Sequence, residues 1–275
     1  MDAAFPEPLF LQGAAGKVFA LYQPARGDAK QAIIYLPPFA EEMNRCRYTV
    51  AQQARALSDI GYAVLLLDPY GTGDSAGDMA DATWEGWVGD VHLAADWLAT
   101  RTSAPISLWG LRLGALLAAD AAHRTPGRFN RLVFWQPVQD GKLFLTQYLR
   151  LRIAFLMDRN LPAETTDDMR NTLKNGGMLE VAGYPIGGHL AQELDGLRMS
   201  SFSGLQGMPV EWFELVGEAG KPLSPGSQKV IQQLTEAGCL VSTATFTGPP
   251  LWQLHKRDEL PGLIEATTNR MKELA

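Results

Sequence analysis

Cysteine and histidine are scarce in this chain: two cysteines and four histidines stand among 275 residues. Cys46 and Cys239 lie far apart and outside any C-x-x-C or Cys/His spacing, so neither a disulfide framework nor a metal site is expected, and both read as ordinary buried or half-buried thiols. No stretch reaches the roughly eighteen uncharged apolar residues of a membrane span. The opening MDAAFPEPLFLQG has no basic segment followed by an apolar one, so a cytoplasmic protein with no membrane span is expected. Basic runs are missing too. With 24 Lys+Arg against 30 Asp+Glu the net charge is -6, which argues against a nucleic acid partner. There is no internal repeat and no low-complexity segment.

What is present is apolar and regularly spaced. Hydrophobic residues make up 46% of the chain, enough for one sizeable core, and a single domain over 1–275 is expected. Short apolar runs with strand character recur at 32–36 (AIIYL), 63–67, 106–109, 131–135, 210–216 and 240–246, separated by helical patterns at 48–60, 84–98 and 115–122. This alternation predicts an α/β fold with a mostly parallel sheet covered by helices on both sides. Residues 9–12 and 17–22 flank GAAG and predict an antiparallel hairpin at the sheet edge. Residues 138–201 break the alternation with helical periodicity and one weak strand candidate at 179–181, and read as an inserted helical lid. Ser224 and Pro225 predict the start of a helix that Gly238 ends, and a closing helix is expected over 261–274.

The chemistry concentrates at 110–114, GLRLG. A strand running into a small-x-X-x-small turn and then an alanine-rich helix is the arrangement of a nucleophile elbow, in which Gly110 and Gly114 let strand, turn and helix pack closely and the central residue is raised at the carboxyl end of the sheet. Here the central residue is Arg112. Residues 68–77, DPYGTGDSAG, resemble the D-x-x-G-x-G-x-S-x-G loop that follows the preceding strand in α/β-hydrolases, where Ser75 reads as a turn-stabilising hydroxyl. Together with 36–44 (LPPFAEEMN), 109–114 (WGLRLG), 181–184 (VAGY) and 248–253 (GPPLWQ), the chain resembles the exosortase A system-associated hydrolase 2 family, a branch of the α/β-hydrolase superfamily encoded beside exopolysaccharide and protein-sorting genes. The resemblance covers nearly the whole chain. It implies an α/β-hydrolase fold and a hydrolase by name, and brings no substrate with it.

In an active member of that superfamily a serine attacks, a histidine takes its proton and an acid orients the histidine. Arg112 stays protonated and has no lone pair for attack, which excludes covalent serine catalysis at the elbow. In the acid loop, GEAGKPLSP, Gly220 stands in the aspartate slot, with Glu218 a solvated substitute. In the histidine loop, TGPPLW, no residue shuttles a proton; His255 follows a few residues later among Lys256, Arg257, Asp258 and Glu259. His92, His123 and His189 read as structural. The oxyanion-hole amides fall to Leu113 and to Phe39 or Ala40, with Trp252 and Gln253 as further pocket residues.

A guanidinium at a helix amino terminus inside a cleft needs an anion. Glu41 and Glu42, in the loop across the mouth, are the candidates, the alternative being a bound carboxylate, phosphate or sulfate. Two function classes stay open. One is a noncatalytic protein with a degenerate triad that binds a small acyl, glycosyl or anionic ligand, or a protein partner, in the export system. The other is an ester or thioester hydrolase or acyltransferase with a noncovalent, rebuilt site of Glu41 or Glu42, Arg112 and His255. Neither needs a cofactor. A third reading makes Phe144, Leu145, Tyr148 and Leu149 a subunit interface, although a stripe at that spacing also serves as lid packing.

Overall fold

The apolar runs pair into one eight-stranded sheet in the computed structural model, which describes residues 5–253 and 260–274. Its first half comprises β1 (Glu7–Gln12), β2 (Lys17–Gln23), β3 (Gln31–Leu36), α1 (Glu41–Asp59), β4 (Tyr62–Asp68), α2 (Trp84–Arg101), β5 (Ile106–Leu111), α3 (Leu113–Arg124) and β6 (Leu132–Trp135). The second half comprises α4 (Gly141–Asp158), α5 (Thr166–Lys174), β7 (Met178–Val181), β8 (Tyr184–Gly187), α6 (Gly188–Gly196), β9 (Pro209–Leu215), α7 (Pro225–Glu236), β10 (Leu240–Phe246) and α8 (Pro261–Glu273). Strand order is β1-β2-β4-β3-β5-β6-β9-β10, with β1 and β2 antiparallel and every pairing from β4 to β10 parallel. This is the α/β-hydrolase arrangement.

The central strands carry apolar residues on both faces because both faces are covered. On β3, Ile33 and Tyr35 join the cluster beneath α1 and α8, while Ala32, Ile34 and Leu36 join the one beneath α2 and α3. Trp109 of β5 fills the first layer, with ring centroids 4.6 Å from Tyr35 and 4.7 Å from Trp135. Ser75 does what its loop position demands: its Oγ accepts the Phe19 N–H at 2.7 Å and donates to the Asp68 carbonyl, tying β2 to the end of β4. Ser224 caps α7 through its Oγ and the Ser227 N–H.

Between β6 and β9 the chain leaves the sheet. The insertion consists of α4, α5, the β7–β8 hairpin and α6, none of which pairs with the main sheet. The hairpin turns at Ala182 and Gly183, both at positive φ, as a two-residue turn between antiparallel strands requires. Tyr148 of α4 donates to the Val181 carbonyl at 3.0 Å, and Asn44 of α1 donates to the Tyr184 hydroxyl at 3.2 Å, so the hairpin joins the insertion to the main body.

One element begins earlier than periodicity indicates. The helix expected at 48–60 starts at Glu41, so Glu41 and Glu42 form its first turn and are not in a loop. The apolar stripe of Val50, Ala54 and Leu57 marks only the later turns. The first two are rich in charge because they face a cleft, and acidic residues there favour the helix amino terminus.

Candidate functional site

The site begins at the two glycines around the elbow. A Cβ on Gly110 would lie 2.4 Å from Ala115 Cα, and one on Gly114 would lie 2.1 Å from the Leu36 carbonyl oxygen, so α3 can abut the ends of β5 and β3 only if both positions lack a side chain. Between them Arg112 adopts φ 55° and ψ -116°, a strained conformation for a residue with a Cβ. Three hydrogen bonds hold it there: the Arg112 N–H donates to the Trp135 carbonyl at 3.0 Å, and its carbonyl accepts from Ala115 at 3.1 Å and Val138 at 3.0 Å. The backbone of a nucleophile elbow is present with an arginine in it.

Leu36 pairs with Gly110 across β3 and β5, so the connection after β3 runs beside the elbow. That connection ends at Ala40, whose φ of 51° and ψ of -124° nearly repeat those of Arg112, and then enters α1. The shape aims the first turn of α1 at the arginine. Arg112 Nε lies 3.3 Å from each carboxylate oxygen of Glu42, and Nη2 lies 3.2 Å from Oε1. The Trp252 ring covers the guanidinium at 5.0 Å from Cζ, and the Trp252 carbonyl accepts from Arg45 Nη1 at 3.3 Å. The anionic neighbour expected for Arg112 is therefore Glu42. The two side chains are 18% and 13% exposed, which makes this a largely desolvated pair.

Burial dominates the electrostatics. It pushes the Glu42 carboxyl above the usual carboxylate range, with Arg112 pulling the other way through charge and hydrogen bonding. Burial raises Glu41 as well, and its Oε2 is buried with no hydrogen-bond partner among the described residues. The N–H groups of Phe39, Ala40 and Leu113 have no acceptor among the described residues.

A pocket of about 400 Å³ is lined by Phe39, Glu41, Glu42, Arg45, Arg112 and Trp252 on the body, with Gln253 beside them and Phe144, Gln147, Tyr148 and Leu151 of α4 as the roof. The Phe39 ring meets Phe144 and Tyr148 edge-on, at 5.6 and 4.9 Å. Behind Phe39 lies an apolar void of about 20 Å³, bordered by Ala40, Leu113, Trp84 and Trp87, with room for about one water. Arg112, Glu41, Glu42, Phe39, Trp252 and Gln253 thus converge on one pocket, while Leu113 and Ala40 present their side chains to the void. His255 lies outside the described residues. Glu218 is exposed and pairs with Lys221 at 3.2 Å. The remaining histidines sit away from the pocket: His92 stacks on Phe129, His123 stacks on Phe202 and bonds the Ser203 carbonyl at 2.7 Å, and His189 is exposed on α6. Arg45, Gln147 and Leu151 belong to the pocket without having been singled out in the sequence. Arg45 had a signal, standing one helical turn after Glu41.

The four short segments that carry the sequence resemblance meet around this place: 36–44 supplies Phe39, Glu41 and Glu42, 109–114 the elbow, 248–253 Trp252, and 181–184 the turn that Tyr148 and Asn44 hold. A family model described as Hydrolase_4, serine aminopeptidase S33, matches residues 27–175. The human protein ABHD12B is 35% identical over 112 residues, 40% of this chain; the match spans under a third of that protein, 30% of its length. Among solved structures, Est1E from Butyrivibrio proteoclasticus superposes with a TM-score of 0.62 at 17% identity, covering 97% of this chain and 98% of that one. A carboxyl esterase from Bacillus coagulans gives 0.64 at 14% identity, covering 99% of each. At such identities the structural likeness speaks for the fold, and the family model, matching more than half of the chain, places it within a lineage: the chain belongs to the Hydrolase_4 (serine aminopeptidase S33) family of the α/β-hydrolase superfamily.

Proposed function

We propose that this chain is a noncatalytic member of its family that binds a small acyl, glycosyl or anionic ligand in the pocket beneath α4. The observation that carries this reading is the Arg112–Glu42 pair under Trp252, which stands where a nucleophile and its base would work. A guanidinium has no lone pair to give a carbonyl carbon. Among the described residues, the loops after β9 and β10 offer an exposed Glu218 and a tryptophan in place of an acid and a base. What the site retains is suited to holding: a Phe39 amide with no acceptor among the described residues for a carbonyl or carboxylate, a Glu41 oxygen with no partner among them for a ligand hydroxyl or amine, and aromatic walls. The resemblance to the exosortase A system-associated branch supports a cytoplasmic role beside exopolysaccharide or surface-protein export, with a protein of that system as a partner. No helix among the described residues is long and apolar enough to cross a membrane.

Isothermal titration calorimetry with short carboxylic acids, sugar phosphates and free sugars tests the binding reading. At least one class should bind, and Arg112→Ala should weaken it by about tenfold, the loss of one charge-assisted contact. Absence of heat with every class would end this reading.

A second reading has its own observation. Burial raises the Glu41 carboxyl above the usual carboxylate range and leaves one of its oxygens without a partner among the described residues, which suits a general base that takes a proton from water. A noncovalent ester or thioester hydrolase would then use Glu41 as base and the Arg112 region to hold the substrate. Glu41→Gln should abolish any such turnover.

A further inference from the structure

Helix α4 roofs the pocket with one stripe. Phe144, Gln147, Tyr148 and Leu151 recur at the three- and four-residue spacing of a single helix face, and all four line the pocket. Phe144 and Tyr148 are buried, Leu151 stands at the lip and is 43% exposed, and the next residues of the face, Ala154 and Phe155, lie outside it. Phe155 is 51% exposed, with Arg159 stacked over its ring at 5.5 Å to the centroid. The same apolar surface that covers the ligand site therefore runs on past the edge of the body, about 16 Å along the axis from Phe144 to Phe155. The overhang is anchored from its other side: Leu149 and Leu156 are buried, Arg152 pairs with Glu164 at 2.6 Å, and Arg152 donates to the Glu180 carbonyl at 3.0 Å. Inward, the void behind Phe39 has room for about one water, far less than an alkyl chain needs.

On the reading of the pocket as a ligand site, we infer that its ligand is an amphiphile, with the polar end among Glu41, Glu42 and Arg112 and an alkyl chain leaving over Leu151 along the Ala154–Phe155 stretch of α4. The polar groups at the closed end and the apolar strip at the open end set that direction. The walls explain the chemistry of each part: charged groups near Arg112, and the side chains of Leu151, Ala154 and Phe155 along the exit. A chain on this track covers Leu151, which is 43% exposed, and the side of Phe155 that Arg159 leaves open.

Calorimetric titration of the whole protein with butanoate, octanoate and dodecanoate, each below its micelle concentration, tests the assignment. Affinity should rise with chain length by about twofold per methylene, less than the roughly fourfold of full burial because the track is open on one side. Phe155→Ser should weaken dodecanoate by about tenfold and leave butanoate unchanged. Ala154→Glu, which puts a charge on the track without removing any packing, should do the same. If butanoate and dodecanoate bind equally, or if both variants lose neither ligand or lose both alike, the chain does not follow α4 and the inference fails while the pocket reading stands. If no member of the series binds, the inference fails, and the pocket reading then stands or falls on the sugar phosphates and free sugars. Sedimentation velocity without ligand provides the remaining check: a dimer abolished by Phe155→Ser would assign the strip to a second copy and overturn the inference.

Discussion

Arg112 occupies a position where a positive charge is opposed by the dipole of α3 and by desolvation, and it persists there because Glu42 and Trp252 meet it from two sides. Removing one partner is therefore worse than removing both. Glu42→Ala should lower the unfolding free energy by about 2 kcal/mol, somewhat below the usual cost of breaking a fully buried pair because both side chains keep some contact with solvent. The double replacement Arg112→Met with Glu42→Leu should come within about 1 kcal/mol of the parent in urea denaturation, since apolar residues of similar size remove the desolvation cost along with the attraction. A midpoint for the double variant as low as that of Glu42→Ala would show that the pair stabilises beyond its own charges. Asp90 makes a separate residue-scale prediction. Burial lifts its carboxyl from 3.8 to about 6, opposed by the hydrogen bond from the Tyr70 N–H at 2.8 Å. The folded state therefore binds more protons than the unfolded one between those values, and the contribution of this group to stability falls as pH rises through that window. Asp90→Asn keeps an acceptor for Tyr70 and removes the charge. It should be more stable than the parent above pH 7, by up to roughly 3 kcal/mol, with the gain vanishing near pH 4. Thermal melts across pH 4–8 decide it.

Two turns with nearly the same backbone shape organise the site, one at Ala40 before α1 and one at Arg112 before α3. Strain at Ala40 carries no side-chain chemistry that would require it. Ala40→Gly should stabilise the protein by about 1 kcal/mol, the relief of an unfavourable conformation less the entropy that glycine loses on folding; urea unfolding that shows a loss would mean the Ala40 methyl packs for more than it strains. The elements around these turns were legible to different degrees. β3, β4 and β5 announce themselves as apolar strings because helices bury both their faces, and the elbow was readable from Gly110 and Gly114 because close approach leaves no alternative to glycine. The start of α1 was not, since its first turns face the pocket with Glu41, Glu42 and Arg45 and show no apolar stripe. That Glu42 and not Glu41 meets Arg112 depends on helix phase, and the arrival of Trp252 beside Arg45 joins positions 207 residues apart, which no local pattern encodes. The insertion showed its helices through their periodicity, whereas β7 and β8, at four residues each, left only a faint trace.

At the scale of the molecule, an α/β-hydrolase sheet brings the turn at Arg112, the turn at Ala40 and a roofing helix to one place, where Arg112 is paired with Glu42. Rebuilding the nucleophile alone should not restore serine–histidine chemistry, because no histidine stands among the described residues of the pocket to take its proton: Arg112→Ser should remain without ester turnover, and a rate above that of the parent in a p-nitrophenyl ester assay would show that another group, Glu42 or Glu41, serves as the base. The most direct measurement combines turnover and labelling on the native protein. Purified parent protein is assayed against a panel of esters, thioesters and amides beside Arg112→Ala and Glu41→Gln, and each sample is treated with a fluorophosphonate and weighed intact by mass spectrometry. Noncatalytic binding predicts background hydrolysis in all three and no labelled serine. A serine adduct that abolishes turnover, or turnover in the parent that disappears with Glu41→Gln, would contradict it.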